Sequence, residues 1–218
     1  MKRLVVALLL MLVIPSVAFT EDTVPLFKEF YYGQSKADIQ KKNGIQPCEE
    51  AGEGALCLSS QPFAGAPDWE QLFIFEGDRL VMVALVNDLT ESLYTRTVGA
   101  VSGNNFLPIV MQSGSRYFDL IAEVRAKGQT EAQNAFAQFE ASALNEGNGL
   151  TYTFVDSDSL KSVAKKSSGF SDFIQKVSSN LRGVEIEVSN EFIYVRFLAP
   201  KKALLKMRGD MKAQKESF

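Results

Sequence analysis

Two apolar runs constrain this chain more than any other feature: Trp69-Glu70-Gln71-Leu72-Phe73-Ile74-Phe75 and Leu80-Val81-Met82-Val83-Ala84-Leu85-Val86, separated by Glu76-Gly77-Asp78-Arg79. Both are rich in β-formers and the residues between them carry turn chemistry, which predicts a β-hairpin. In the first run Trp69, Gln71, Phe73 and Phe75 share one face, opposite Glu70, Leu72 and Ile74. The second run is apolar on both faces. A strand of that kind needs cover on both sides, so the sheet is expected to be largely covered, by helices.

The residues upstream prescribe a short helix and a closed loop. In Gly33-Gln-Ser-Lys-Ala-Asp-Ile-Gln-Lys-Lys-Asn-Gly44, Ser35 can cap the first turn and Asp38 can reach back to it. Asn43-Gly44 can take the left-handed conformation that ends helices. A helix is expected over Ser35 to Lys42, with Ala37 and Ile39 towards the core. Cys48 and Cys57 follow, the only cysteines, around an acidic, Gly-rich tip, Glu49-Glu50-Ala51-Gly52-Glu53-Gly54. In an exported chain this pair reads as one disulfide. Closing so short a loop stabilises by on the order of 2–3 kcal/mol, mainly through the unfolded state. The alternatives are a metal pair, for which the chain offers no histidine, and a redox couple, for which the spacing is not Cys-x-x-Cys.

The order helix, loop, hairpin resembles the small αββ modules of the outer-membrane assembly lipoprotein BamE (SmpA) and of the β-lactamase-inhibitor protein. The residues carrying the likeness are Gly33-Gln34-Ser35-Lys36-Ala37-Asp38-Ile39, Phe73-Ile74-Phe75 and Leu80-Val81-Met82-Val83, within residues 30–86. It implies a fold more than an activity.

The amino terminus has the layout of a secretory signal peptide. Met1-Lys2-Arg3 is basic, Leu4 to Ile14 is apolar, Pro15 breaks the run, and Ser16-Val17-Ala18 offers small residues for cleavage after Ala18. The apolar run is shorter than the about 20 residues a membrane span needs. No cysteine stands at the cleavage site, a departure from lipoproteins such as BamE. The mature protein is therefore expected to be soluble, periplasmic or secreted; the lack of any Asn-x-Ser/Thr sequon favours a bacterial envelope origin.

The remaining chain reads as follows. Phe27, Phe30, Tyr31 and Tyr32 pack beneath the helix start or form a recognition patch. Ser59 to Pro67 is a loop between strands, with two prolines and a glycine. Asp88 or Thr90 caps a helix reaching Val101, with Leu93, Val98 and Val101 on one side. Phe106 to Met111, holding Pro108, is an edge strand or buried linker. Tyr117–Ala126 and Thr130–Leu144 read as helices, the second with an apolar stripe of Ala132, Ala135, Phe136, Phe139, Ala143 and Leu144. Leu150–Val155 is a strand. Asp156-Ser-Asp-Ser159 is a cap for the helix Leu160–Lys166, or a poor calcium loop without the glycine and later glutamate of an EF-hand. A helix follows over Ser171–Leu181. Val184–Val188 and Phe192–Leu198 form a second hairpin with one face inward. Lys201 to Phe218 is a basic amphipathic tail that docks on an acidic partner or anionic lipid, or is simply solvated.

These readings give an α+β fold of helix-plus-β-hairpin modules, its antiparallel sheet covered by helices. The organisation is a signal peptide (1–18), an αββ module with the disulfide (19–105), a helical segment with a second helix–hairpin unit (106–200) and a tail (201–218). With no histidine, Ser-His-Asp and Cys-His mechanisms and His-ligated metals are excluded. Neither phosphate-cradling nor dinucleotide glycine motifs occur, and a net charge of −3 gives no reason for nucleic-acid binding. No cofactor is implied and no catalytic residue can be nominated. The expectation is a non-enzymatic envelope protein that binds another envelope or secreted protein. Its candidate partner-binding residues are Tyr31, Tyr32, Phe63 and Trp69, and membrane-surface contact falls to the tail. The alternative is a small periplasmic carboxylate-based hydrolase or ligand-binding protein, which would show a deep pocket with two perturbed carboxylates.

Overall fold

Nine strands form one antiparallel sheet in a computed structural model that describes residues 23–48 and 51–216, with side chains as far as residue 208. The proposed signal peptide lies outside the described residues, as does Glu49-Glu50 of the acidic loop tip.

The chain begins with a two-stranded ribbon, β1 (Pro25–Phe27) and β2 (Phe30–Tyr31). Next comes α1 (Lys36–Gln40), where Ser35 Oγ accepts from the Asp38 N–H at 3.2 Å and donates to Asp38 Oδ2 at 2.6 Å. Ile39 is buried as its position predicts, whereas Ala37 is exposed: a helix this short presents one inward turn. Strands β3 (Gln46–Pro47), β4 (Leu56–Phe63), β5 (Ala66–Glu76) and β6 (Arg79–Asp88) form an antiparallel meander. The expected loop at Ser59–Pro67 is instead the β4–β5 hairpin itself, turning at Ala64-Gly65. Its prolines are accommodated because the ladder slips on either side of Gln61, where unpaired N–H groups are not required.

Thr90 caps α2 (Glu91–Gly103) through the Leu93 N–H, and β7 (Phe106–Ser113) and β8 (Arg116–Asp119) follow. β7 is not an edge strand: it lies between β9 and β8, and Pro108 is tolerated at a register shift before Val110. The helix expected from Tyr117 starts later, as α3 (Leu120–Lys127). Residues 117–119 pair in β8, and Asp119 caps the helix through the Ala122 N–H. Then come α4 (Gln129–Glu146), stopped by left-handed Gly147, and β9 (Leu150–Asp156). The Asp156-Ser-Asp-Ser motif is a cap: Asp156 Oδ1 accepts from the Ser159 N–H at 2.9 Å and opens α5 (Ser157–Val163). The chain closes with α6 (Phe170–Lys176), β10 (Gly183–Val188), β11 (Phe192–Leu198) and α7 (Pro200–Glu216).

The sheet order is β3-β4-β5-β6-β11-β10-β9-β7-β8. Segments on either side of residue 105 therefore join in one sheet through the β6–β11 pairing. The fold is α+β, with helices only partly around the sheet. One face is buried along its whole width: Trp69, Phe73, Leu85, Val195, Ile186 and Phe154 form a continuous core against the β1–β2 ribbon, α1, α2 and α4. On the other face a smaller core, Val110 and Val155 under Ile121, Phe173 and Ile174, exists only at the β7–β9 end beneath α3 and α6. The expected two-sided cover is thus half present. On β6, Ala84 is 5% exposed only because the neighbouring strands place Leu72 and Arg196 beside it.

Candidate protein interface

The half-covered face follows from strand register. Three rows cross it: Glu70–Val86–Tyr194–Glu187–Thr151, Leu72–Ala84–Arg196–Glu185–Thr153 and Ile74–Met82–Leu198–Gly183–Val155. Leu72, Ile74, Met82, Val86, Tyr194 and Leu198 are all half-exposed, a graded apolar band rather than a sealed core. Phe192, 37% exposed, extends the band at the end of β11 and packs against the Tyr194 ring at 6.3 Å.

Electrostatics lie to one side of that band. Arg196 Nη2 is 2.5 Å from Glu187 and Nη1 is 4.0 Å from Glu185, and the guanidinium sits over the Tyr194 ring. Burial pushes the Glu185 carboxyl above the ordinary carboxylate range; Arg196 opposes the shift and Glu187 adds to it. The two glutamates are two residues apart on the open sheet face, and Glu187 also lines an open concavity at the end of β10 with Gln112, Asn148 and Thr151. α7 runs off the end of β11 at the rim of this face, with Lys206 paired to Glu76 at the β5–β6 turn.

The sequence-nominated residues separate into three places. Phe63 and Trp69 meet edge to face at 5.4 Å, and Trp69, fully buried, donates its indole N–H to the Phe63 carbonyl at 2.9 Å. Tyr32 lies under the tail, with Lys202 Nζ 5.8 Å from its ring centre. Tyr31 pairs with Pro25 in the β1–β2 ribbon. Neither tyrosine belongs to the open face. Of the neighbouring aromatics, Phe27 and Phe30 are core, Phe30 resting on Phe73 at 4.6 Å. Cys48 and Cys57 are bonded to each other, so the adjacent Glu70 carboxylate has no thiolate with which to share a metal. The tail begins with an anchor the sequence did not reveal. Lys201 is buried, and its Nζ donates to the Ile174 and Gln175 carbonyls at the end of α6 at 2.7 and 2.5 Å.

Inside the main core, three groups from distant segments converge. Tyr152 donates to Glu140 Oε1 at 2.5 Å, Tyr94 donates to the same oxygen at 3.0 Å, and the two hydroxyls are 2.5 Å apart. They tie α2, α4 and β9 together. Burial raises both phenols, Tyr94 to about 12.

No helix among the described residues is long and apolar enough to cross a membrane, and the disulfide fits an oxidising compartment. Comparison with known family models, with curated proteins and with solved structures finds no match to this chain.

Proposed function

We propose that this is an exported, non-enzymatic protein of the bacterial envelope that binds another envelope or secreted protein through its open sheet face. The observation that carries this is the mixed surface of β5, β6, β11 and β10. A half-exposed apolar band from Leu72 to Tyr194 lies beside the charged group of Arg196, Glu185 and Glu187. Such a combination of apolar contact area and a polar margin is what protein interfaces use. The surrounding architecture supports it: one face is filled by helices and gives rigidity, and the other presents side chains at fixed two-residue spacing.

Photo-crosslinking residues placed at Met82 and Tyr194 test the reading in the native envelope, with Gln133 on the exposed side of α4 as control. One discrete protein captured from both sheet positions, not from Gln133, and lost in Arg196→Glu, is the expected result. Equal labelling from all three positions, or none from the sheet, rejects it.

A further inference from the structure

A concavity opens on the covered side of the sheet, between the β1–β2 turn, the β4–β5 hairpin and the C-terminal end of α2. It encloses about 430 Å³, within the range of small-molecule sites. Its wall is aromatic. Phe27 packs on Phe197 at 4.6 Å and on Phe63 at 5.9 Å, with Phe106 opposite. Two cations line it, Lys28 and Arg182, held over the Phe27 and Phe106 rings at 5.1 and 4.8 Å. Among the described residues no acidic side chain lines the cleft, and neither cation has a carboxylate within ion-pair distance. The carbonyl end of α2 is partly quenched there, since Asn104 Nδ2 donates to the Ala100 carbonyl at 2.7 Å.

Three tight turns frame this cleft. Lys28, Ala64 and Asn105 adopt left-handed φ of 50°, 49° and 67°, one in each of the three turns that frame it. Tight hairpin turns require such values, so these residues fix how the two hairpin tips and the end of α2 frame the cleft. A bare aromatic cleft would favour any apolar molecule; two cations at its wall without a carboxylate partner among the described residues, Lys28 holding only the Gln61 amide oxygen at 3.3 Å, select for an anionic end.

We propose that this cleft binds a small amphipathic carboxylate, an apolar chain or ring bearing one anionic head. The aromatic wall takes the apolar part, and Arg182 and Lys28 take the head. This is independent of the sheet-face interface, since the cleft lies on the opposite side of the sheet.

Trp69, the chain's single tryptophan, lies directly behind Phe63 and reports on the cleft. Titrating the mature protein with decanoate should give a saturable change in its fluorescence, confirmed by calorimetry. Decanol and decylamine should bind at least about tenfold more weakly, as one charge-assisted hydrogen bond implies. Arg182→Gln should weaken decanoate about tenfold and leave decanol unchanged; Lys28→Gln, at an exposed position, gives the same test with little risk to folding. The proposal is overturned if decanoate does not saturate, if the three probes bind equally, or if both charge variants retain full decanoate affinity while folded by circular dichroism.

Discussion

Replacing Tyr152 with Phe isolates the polar clasp under α2 and α4. Tyr152 is 1% exposed and its hydroxyl donates to the Glu140 carboxylate at 2.5 Å. A hydrogen bond to a charged group contributes about 1.5–3 kcal/mol. Glu140 is only half-buried and keeps the Tyr94 donor, so the carboxylate is not orphaned. The loss should therefore fall at the lower end, about 1.5–2 kcal/mol, a fall in Tm of roughly 3–8 °C for a chain of this size. Tyr94→Phe, with its longer bond and half-exposed ring, should cost about 1 kcal/mol. Because both hydroxyls share one oxygen, the double variant should deviate from the sum by about 0.5 kcal/mol or more. Urea unfolding followed by Trp69 fluorescence measures all four proteins. Alkaline titration gives a second reading. An unfolded tyrosine ionises near pH 10, while folded Tyr94 holds its proton to about 12. The folded state therefore binds more protons in that window and loses stability as pH rises through it, less steeply in Tyr94→Phe. A cost below about 0.5 kcal/mol for Tyr152→Phe, or strict additivity, refutes the clasp as an energetic unit.

Other consequences are as direct. Reducing the Cys48–Cys57 bridge, which closes a separation of nine residues, should lower stability by about 2–3 kcal/mol and Tm by roughly 5–10 °C in matched melts with and without reductant. Glu185→Gln should raise stability at neutral pH: the folded carboxyl titrates above its ordinary 4.5, so its charge opposes folding above that range and the penalty lifts on acidification. The gain over wild type, read from urea midpoints, should shrink as pH falls towards 4.5, and a constant difference contradicts the mechanism. Lys201→Met keeps the aliphatic packing but leaves the Ile174 and Gln175 carbonyls without their donor. It should cost about 1–3 kcal/mol and speed proteolysis of α7; unchanged cleavage removes the anchor role.

The sequence by itself determined whatever depends on neighbours along the chain. The Ser35–Asp38 cap, the Cys48–Cys57 closure and the hairpin turns at Gly77 and Ser189 follow from residues three to ten positions apart, and the start of α2 was narrowed to a cap at Asp88 or Thr90, of which the structure uses Thr90. Two-residue alternation likewise predicted the inward face of Val184, Ile186 and Val188. Local rules failed where a non-local partner changed the balance. Residues 59–67 carry two prolines and read as loop, yet pairing with the rest of β5 draws them into a hairpin whose irregular register absorbs the prolines. Tyr117 fits a helix pattern, but β7 supplies a strand partner that helix could not use.

The open face was decided only in three dimensions. Met82, Ala84 and Val86 look like a buried strand surface, and whether helices cover them depends on where α3 and α6 dock. Those helices dock on Val110 and Val155, at the other end of the sheet. The Tyr94–Tyr152–Glu140 clasp, the Lys201 anchor and the Phe-lined cleft likewise join residues between 12 and 58 positions apart or more distant still. Propensity and periodicity report the free energy of a residue with its chain neighbours. Contacts at such separations are set by the packing of whole elements, which no local pattern encodes.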